Sequence, residues 1–194
     1  TPEKLAEATR REEAARENQK ESEYHLKAIE ARALGKNEDA TSWDNAGYGA
    51  HWASFLSEDA IKARAIGTPE KLAEATLWEK AARESQKRSE YNLKAIEARA
   101  LGKDDDATSW TNAGYGAKWL SFLLEDAIKA RAIGTPEKLA EAIRWEEAAA
   151  LNRQACEHWI KAIQERAIGN QNGPTGGEYW DKEAQKKSDE AKKV

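Results

Sequence analysis

Apolar and small residues recur along the chain at alternating spacings of three and four, through Trp110, Ala113, Ala117, Leu120, Leu124 and Ala127. Two further runs behave the same way, one through Trp78, Ala82, Ser85, Ser89, Leu93, Ile96 and Ala100, the other through Trp145, Ala149, Asn152, Cys156, Trp159 and Ile163. That spacing is the period of an α-helix with one buried face, so the pattern predicts an all-α fold. Gly35, Gly67, Gly102, Gly134 and Gly169 close the successive stretches, in the left-handed position that commonly follows a helix. Thr-Pro-Glu supplies an N-cap followed by Pro at the first helical position, and Asp39 or Asp106 is the expected N-cap of the alternate helices. Arg32, Arg64, Arg99, Arg131 and Arg166 stand in the last turns, where a cation complements the helix dipole.

The segments are copies. TPEKLAEA begins at Thr1, Thr68 and Thr135, which divides the chain into a unit at 1–67, a second at 68–134, a partial third at 135–169, and a tail at 170–194. The first two units differ at twelve positions, which implies recent duplication or design. Each unit splits at a Gly into related halves. Either each half is a helix-turn-helix pair, as in an α-solenoid of 34-residue repeats, or it is one helix of roughly 40–50 Å at ~1.5 Å per residue. The apolar phase crosses the middle of every half unbroken, and no Pro or Asn-Gly stands there, which favours single helices. Short loops then make sequential helices antiparallel neighbours. The tail leaves the repeat after Gly169; it reads as a Gly- and Pro-containing loop and a short polar closing helix docked through Tyr179 and Trp180. In the first unit, Arg10 and Arg11 stand where later units carry Leu77-Trp78 and Arg144-Trp145, the polar outer face that the first member of an array requires.

The junction KAIEARALGKDDDATSWTNAG at 94–114, repeated in kind at 27–47, resembles the helix-loop-helix junction of tetratricopeptide repeats, particularly the kinesin-light-chain type. SEDAIKARAIG resembles the second helix of that motif. The mid-repeat Gly of the family is absent, and the halves alternate between 35 and 32 residues. The resemblance implies an α-solenoid that binds peptides or proteins on a groove and brings no catalytic residue with it.

Composition narrows the possibilities. Charged residues make up 34% of the chain and mean hydropathy is −0.90, with 35 acidic and 31 basic side chains interspersed along the helices. Duplex nucleic acid, whose affinity comes from clustered Lys and Arg, is therefore an unexpected partner. No apolar run approaches the ~20 residues that span a bilayer and no targeting segment is visible, so the chain reads as soluble, with its compartment open. Beginning at Thr1 in phase with the repeat, it reads as a processed product or an excerpt. Cys156, the single cysteine, sits among Ala155, Trp159 and Ile160 as a buried small hydrophobe.

The most conspicuous constellation is ATSWxNAGYGAxW, at Ala40 to Trp52 and Ala107 to Trp119. Trp43, Ala46, Gly47 and Ala50 share a face, as do Trp110, Ala113, Gly114 and Ala117, and small residues there admit a neighbouring helix. The functional alternative is a groove lined by Trp52, Trp119, Tyr48, Tyr115, Asn45 and Asn112, since Trp and Tyr are favoured at binding hot spots. The run Asp104 to Asp106 is explained by helix capping rather than by calcium, and the tract from Arg83 to Glu90 by a solvated helix face. His25, His51 and His158 fall at non-equivalent repeat positions, unlike a ligand set or a catalytic base. No phosphate loop, nucleophile elbow or paired-Cys motif occurs. The expectation is a non-enzymatic scaffold without cofactor or metal that binds a protein or peptide partner. A structural spacer whose partners are copies of itself is the first alternative; a hydrophobic-ligand carrier is the second, made less favourable by abundant Ala, which draws helices together.

Overall fold

The computed structural model describes residues 2–172 and 175–194, with side chains from residue 4. Six helices follow one another: α1 (Pro2–Ala33), α2 (Asn37–Ile66), α3 (Pro69–Ala100), α4 (Asp104–Ile133), α5 (Pro136–Ala167) and α6 (Gly177–Ala191). No strand occurs among the described residues. Each half-unit is a single helix, so no turn interrupts the apolar phase. Five of these helices run 30 or 32 residues, roughly 45–48 Å at the α-helical rise.

The helix ends follow the sequence with one exception. All five glycines at the half-unit boundaries have φ between 67° and 78°, where a side chain would be strained. Thr68 and Thr135 cap α3 and α5 by accepting from the Lys71 and Lys138 amides at 3.3 Å; Thr1 lies outside the described residues. Asp39 and Asp106 do not cap. The N-cap positions of α2 and α4 belong to Lys36 and Lys103, which make no side-chain cap bond. Both aspartates sit inside the first turn, near the positive end of the dipole, and bind arginines from the next unit instead.

Successive helices pack antiparallel along the whole chain. Side chains that skip one helix show that odd and even helices form two layers. Gln86 on α3 donates to Glu17 on α1, Arg153 on α5 approaches Glu84 on α3, and the Trp52 ring on α2 meets Phe122 on α4. The apolar core gathers at one end of the layers, where Leu56 and Ala60 of α2, Trp78 and Ala82 of α3, Leu120 and Leu124 of α4, and Ala149 of α5 interlock. Burying a side chain such as Leu120 stabilises by ~1.5–3 kcal/mol. Trp78 is covered by the unit before it, and the equivalent Arg11 on α1 is exposed and pairs with Glu7.

At the opposite end the interface is built from Ala, Gly and Ser, with hydrogen bonds to backbone carbonyls: Ser89 Oγ donates to Ala46 O at 2.7 Å and Cys156 Sγ to Ala113 O at 3.4 Å. The tract from Arg83 to Glu90 contributes to this packing and is not a solvated face. Glu84, Ser85, Arg88 and Ser89 are all buried, because α3 is flanked on both sides by even helices.

The tail keeps more of the repeat than its sequence suggests. Lys161 stands over the Trp180 ring at 3.9 Å, as Lys27 stands over Trp43 and Lys94 over Trp110. His158 tilts against Trp180 where Tyr24 meets Trp43 and Tyr91 meets Trp110. Trp180 follows Lys161 by 19 residues and Trp43 follows Lys27 by 16, so a loop three residues longer delivers α6 into an even-helix position. Trp180-Asp181 repeats Trp43-Asp44, while Tyr179 stays exposed. Gly173 and Pro174 of the expected loop lie outside the described residues.

Candidate functional site

The Gly-Tyr-Gly triplet explains how an even helix is held. Residues two apart on a helix point about 200° apart, so the two glycines of each triplet face different neighbours. A Cβ on Gly47 would lie 3.0 Å from the His25 ring of α1, while one on Gly49 would lie 2.8 Å from the Ser85 carbonyl of α3. In α4 the same division holds, Gly114 facing Asn92 of α3 and Gly116 facing Cys156 and Trp159 of α5. Ala46, Ala50, Ala113 and Ala117 are buried beside them, so most of the constellation serves packing. The tyrosine between the glycines is left pointing outward. Tyr48 is 50% exposed and Tyr115 45%.

From these tyrosines an aromatic row runs one and two turns further along each even helix, at i, i+4 and i+7. It comprises Tyr48, Trp52 and Phe55 on α2, and Tyr115, Trp119 and Phe122 on α4. Trp52 meets Phe55 and Phe122 edge-on at 5.5 and 5.2 Å, and Trp119 meets Phe122 at 6.3 Å, which joins the two rows. Trp52 is half-buried by this arrangement, whereas Trp119 remains 52% exposed. Edge-to-face contacts of this kind contribute ~0.5–1.5 kcal/mol each and hold the rings in fixed orientations.

Two cations border the row. Lys118 Nζ lies 5.4 Å from the Trp119 centroid and 5.8 Å from that of Phe122. Arg88, buried on α3, lies 5.7 Å from the Tyr48 centroid, and its Nη2 donates to Asn45 Oδ1 at 2.8 Å. Loss of solvent pulls the Arg88 guanidinium down to about 10, against the opposing influence of Tyr115 and Tyr48.

No family model matches the chain, and a search of the curated proteins finds no match.

Of the six residues singled out in the sequence, Tyr48, Trp52, Tyr115 and Trp119 come together on one face. Asn45 is engaged by Arg88. Asn112 lies apart, in shallow clefts that α4 forms with Ser42 of α2 and with Asp181 of α6. Arg88, Lys118, Phe55 and Phe122 belong to the face and were not among them. A signal existed: positions 21 and 51 are among the twelve at which the units differ, and both change charge character, from Glu21 to Arg88 and from His51 to Lys118.

The remaining chemistry-bearing groups lie elsewhere. Burial pushes the Cys156 thiol up to about 12. His25 lies 3.2 Å from Asp44, and His51 3.0 Å from Glu21, both across the α1–α2 interface. Among the described residues no group of three His, Cys, Asp or Glu is placed to hold a metal ion, and no helix is long and apolar enough to cross a membrane.

Proposed function

We propose that this chain is a non-enzymatic helical-repeat scaffold whose even helices present an interaction surface for a protein or peptide partner. The observation that carries this reading is the face formed by Trp52, Phe55, Trp119 and Phe122, joined edge to face, with Tyr48 and Tyr115 one turn away between close-packed glycines. Rigid aromatics bind at small entropic cost, which is why they dominate binding energy at interfaces. Selection of displayed peptides against the wild type, counter-screened on a Trp52→Ala/Trp119→Ala variant, tests it. Binders that fail to recognise the variant support the reading; binders indifferent to it refute it.

A second reading, association with a second copy through α1, is favoured by a separate observation. Leu26 and Ile29 are 62% and 61% exposed, while their counterparts Leu93 and Ile96 are partly covered. Those counterparts continue the α3 face on which Ser89 binds α2. Sedimentation velocity across a wide concentration range tests this: growth abolished by Leu26→Glu/Ile29→Glu supports it, and a monomer throughout refutes it.

A further inference from the structure

In the first unit, Glu21 and His51 satisfy each other, His51 Nδ1 lying 3.0 Å from Glu21 Oε2. Sixty-seven residues later the same two positions carry Arg88 and Lys118, two cations in place of a complementary pair. Arg88 is only 6% exposed, and Asn45 is its one side-chain hydrogen-bond partner among the described residues. A guanidinium has five N–H donors, and a buried charge ordinarily finds a counter-charge. Four other arginines that bond across helices each have a counter-charge: Arg64 has Glu79, Arg99 has Asp39, Arg131 has Glu146 and Arg166 has Asp106. Among the described residues no carboxylate forms an ion pair with Arg88 or Lys118. Glu84, one turn earlier on α3, is engaged by Lys87 and Arg153. The third unit has Ala155 at the corresponding position, so the arrangement occurs once, where α3 lies between α2 and α4.

Building on the interaction-surface reading above, we propose that Arg88 and Lys118 anchor a carboxylate of the partner, which is an acidic peptide segment. Its Asp or Glu side chain is received beside Tyr48 and Tyr115 by the guanidinium, and its apolar neighbours lie along Trp119 and Phe122. The aromatic row supplies contact area, and the two unpaired cations select the charge of what lies on it. Arg88 is suited to the task because a guanidinium binds a carboxylate through two parallel hydrogen bonds, and its Nη2 bond to Asn45 Oδ1 holds it in place beside Tyr48.

Fluorescence anisotropy with two labelled peptide pools tests the proposal. One pool alternates Asp and Glu with Leu, Phe and Trp; the other carries Asn and Gln in place of the acids. The wild type should bind the acidic pool about tenfold more tightly or better. The preference should vanish in Arg88→Gln and shrink in Lys118→Gln, a change on the partly exposed rim that decides the matter if the buried substitution disturbs folding. Equal binding of the two pools, both lost in Trp52→Ala/Trp119→Ala, overturns the acidic anchor and leaves the surface reading standing. Binding that ignores the Trp variant overturns the surface reading itself. Tighter binding of a short single-stranded oligonucleotide than of the acidic pool also overturns the proposal, since the anion would then be a phosphate.

Discussion

Arg166 Nε donates to Asp106 Oδ1 at 2.6 Å, and sixty-seven residues earlier Arg99 Nε donates to Asp39 Oδ1 at 2.8 Å. Each bond ties the end of an odd helix to the start of the even helix in the unit before it. The arginine also reaches a serine hydroxyl and a first-turn carbonyl there, Ser42 and Glu38 for Arg99, Ser109 and Asp105 for Arg166. Arg32, the equivalent residue on α1, pairs instead with Asp44 of its own unit. A single side chain in each later unit thus links it to the unit before.

The linkage predicts unequal costs for the same substitution. Arg166→Met would leave Asp106 and Asp181 close together without their shared cation, a loss of about 2–4 kcal/mol. Arg32→Met removes a half-exposed pair and should cost under about 1 kcal/mol. Urea denaturation of the two variants checks the ordering.

The glycines predict a second contrast. Gly49→Ala drives a methyl into the backbone of α3, 2.8 Å from Ser85 O and 2.9 Å from Ser89 N. Helices must separate, so a net loss of about 1–3 kcal/mol is expected despite the better helix propensity of Ala. Gly114→Ala meets a side chain before any backbone, the Asn92 amide that donates to Arg88 O, and should change thermal stability less.

Cys156 should resist thiol reagents in the folded protein. Its thiol is buried and pushed up to about 12, so it stays protonated at neutral pH. Reaction should track global unfolding in urea; rapid labelling without denaturant would contradict the packing of α5 on α4.

Acid should weaken the boundary between the first two units. Hydrogen bonding to Arg64 holds the Glu79 carboxyl below its usual range. A depressed folded-state value stabilises above the unfolded value and is lost as pH falls through the folded one. Glu79→Gln should therefore show a smaller loss of stability between neutral and acid pH than the wild type.

Much of this fold was legible because helix ends and helix faces are local properties. The boundary glycines, the Thr-Pro caps and the unbroken phase from Trp110 to Ala127 each depend on neighbours a turn or two away. What escaped depends on distant helices. Asp39 looked like a cap because only the fold brings Arg99 to it, sixty residues on. Arg88 looked solvated because its burial comes from even helices on either side of α3. Trp180-Asp181 lost its resemblance to Trp43-Asp44 through a longer loop, although the lysine it meets had not moved in the repeat. On the candidate face the tyrosines and tryptophans were evident from composition and repetition, whereas the bordering cations left only a change of charge at positions 21 and 51, and their meeting there depends on the assembly of α2, α3 and α4.

The most direct test of the interaction surface is an anisotropy titration of a selected peptide against Trp119→Ala, with folding verified by circular dichroism. Trp119 is half exposed on the aromatic row, so its removal should leave the fold intact while weakening binding about thirtyfold or more, as loss of a hot-spot residue does. Unchanged affinity in a folded Trp119→Ala variant would contradict the reading and return the aromatic row to packing alone.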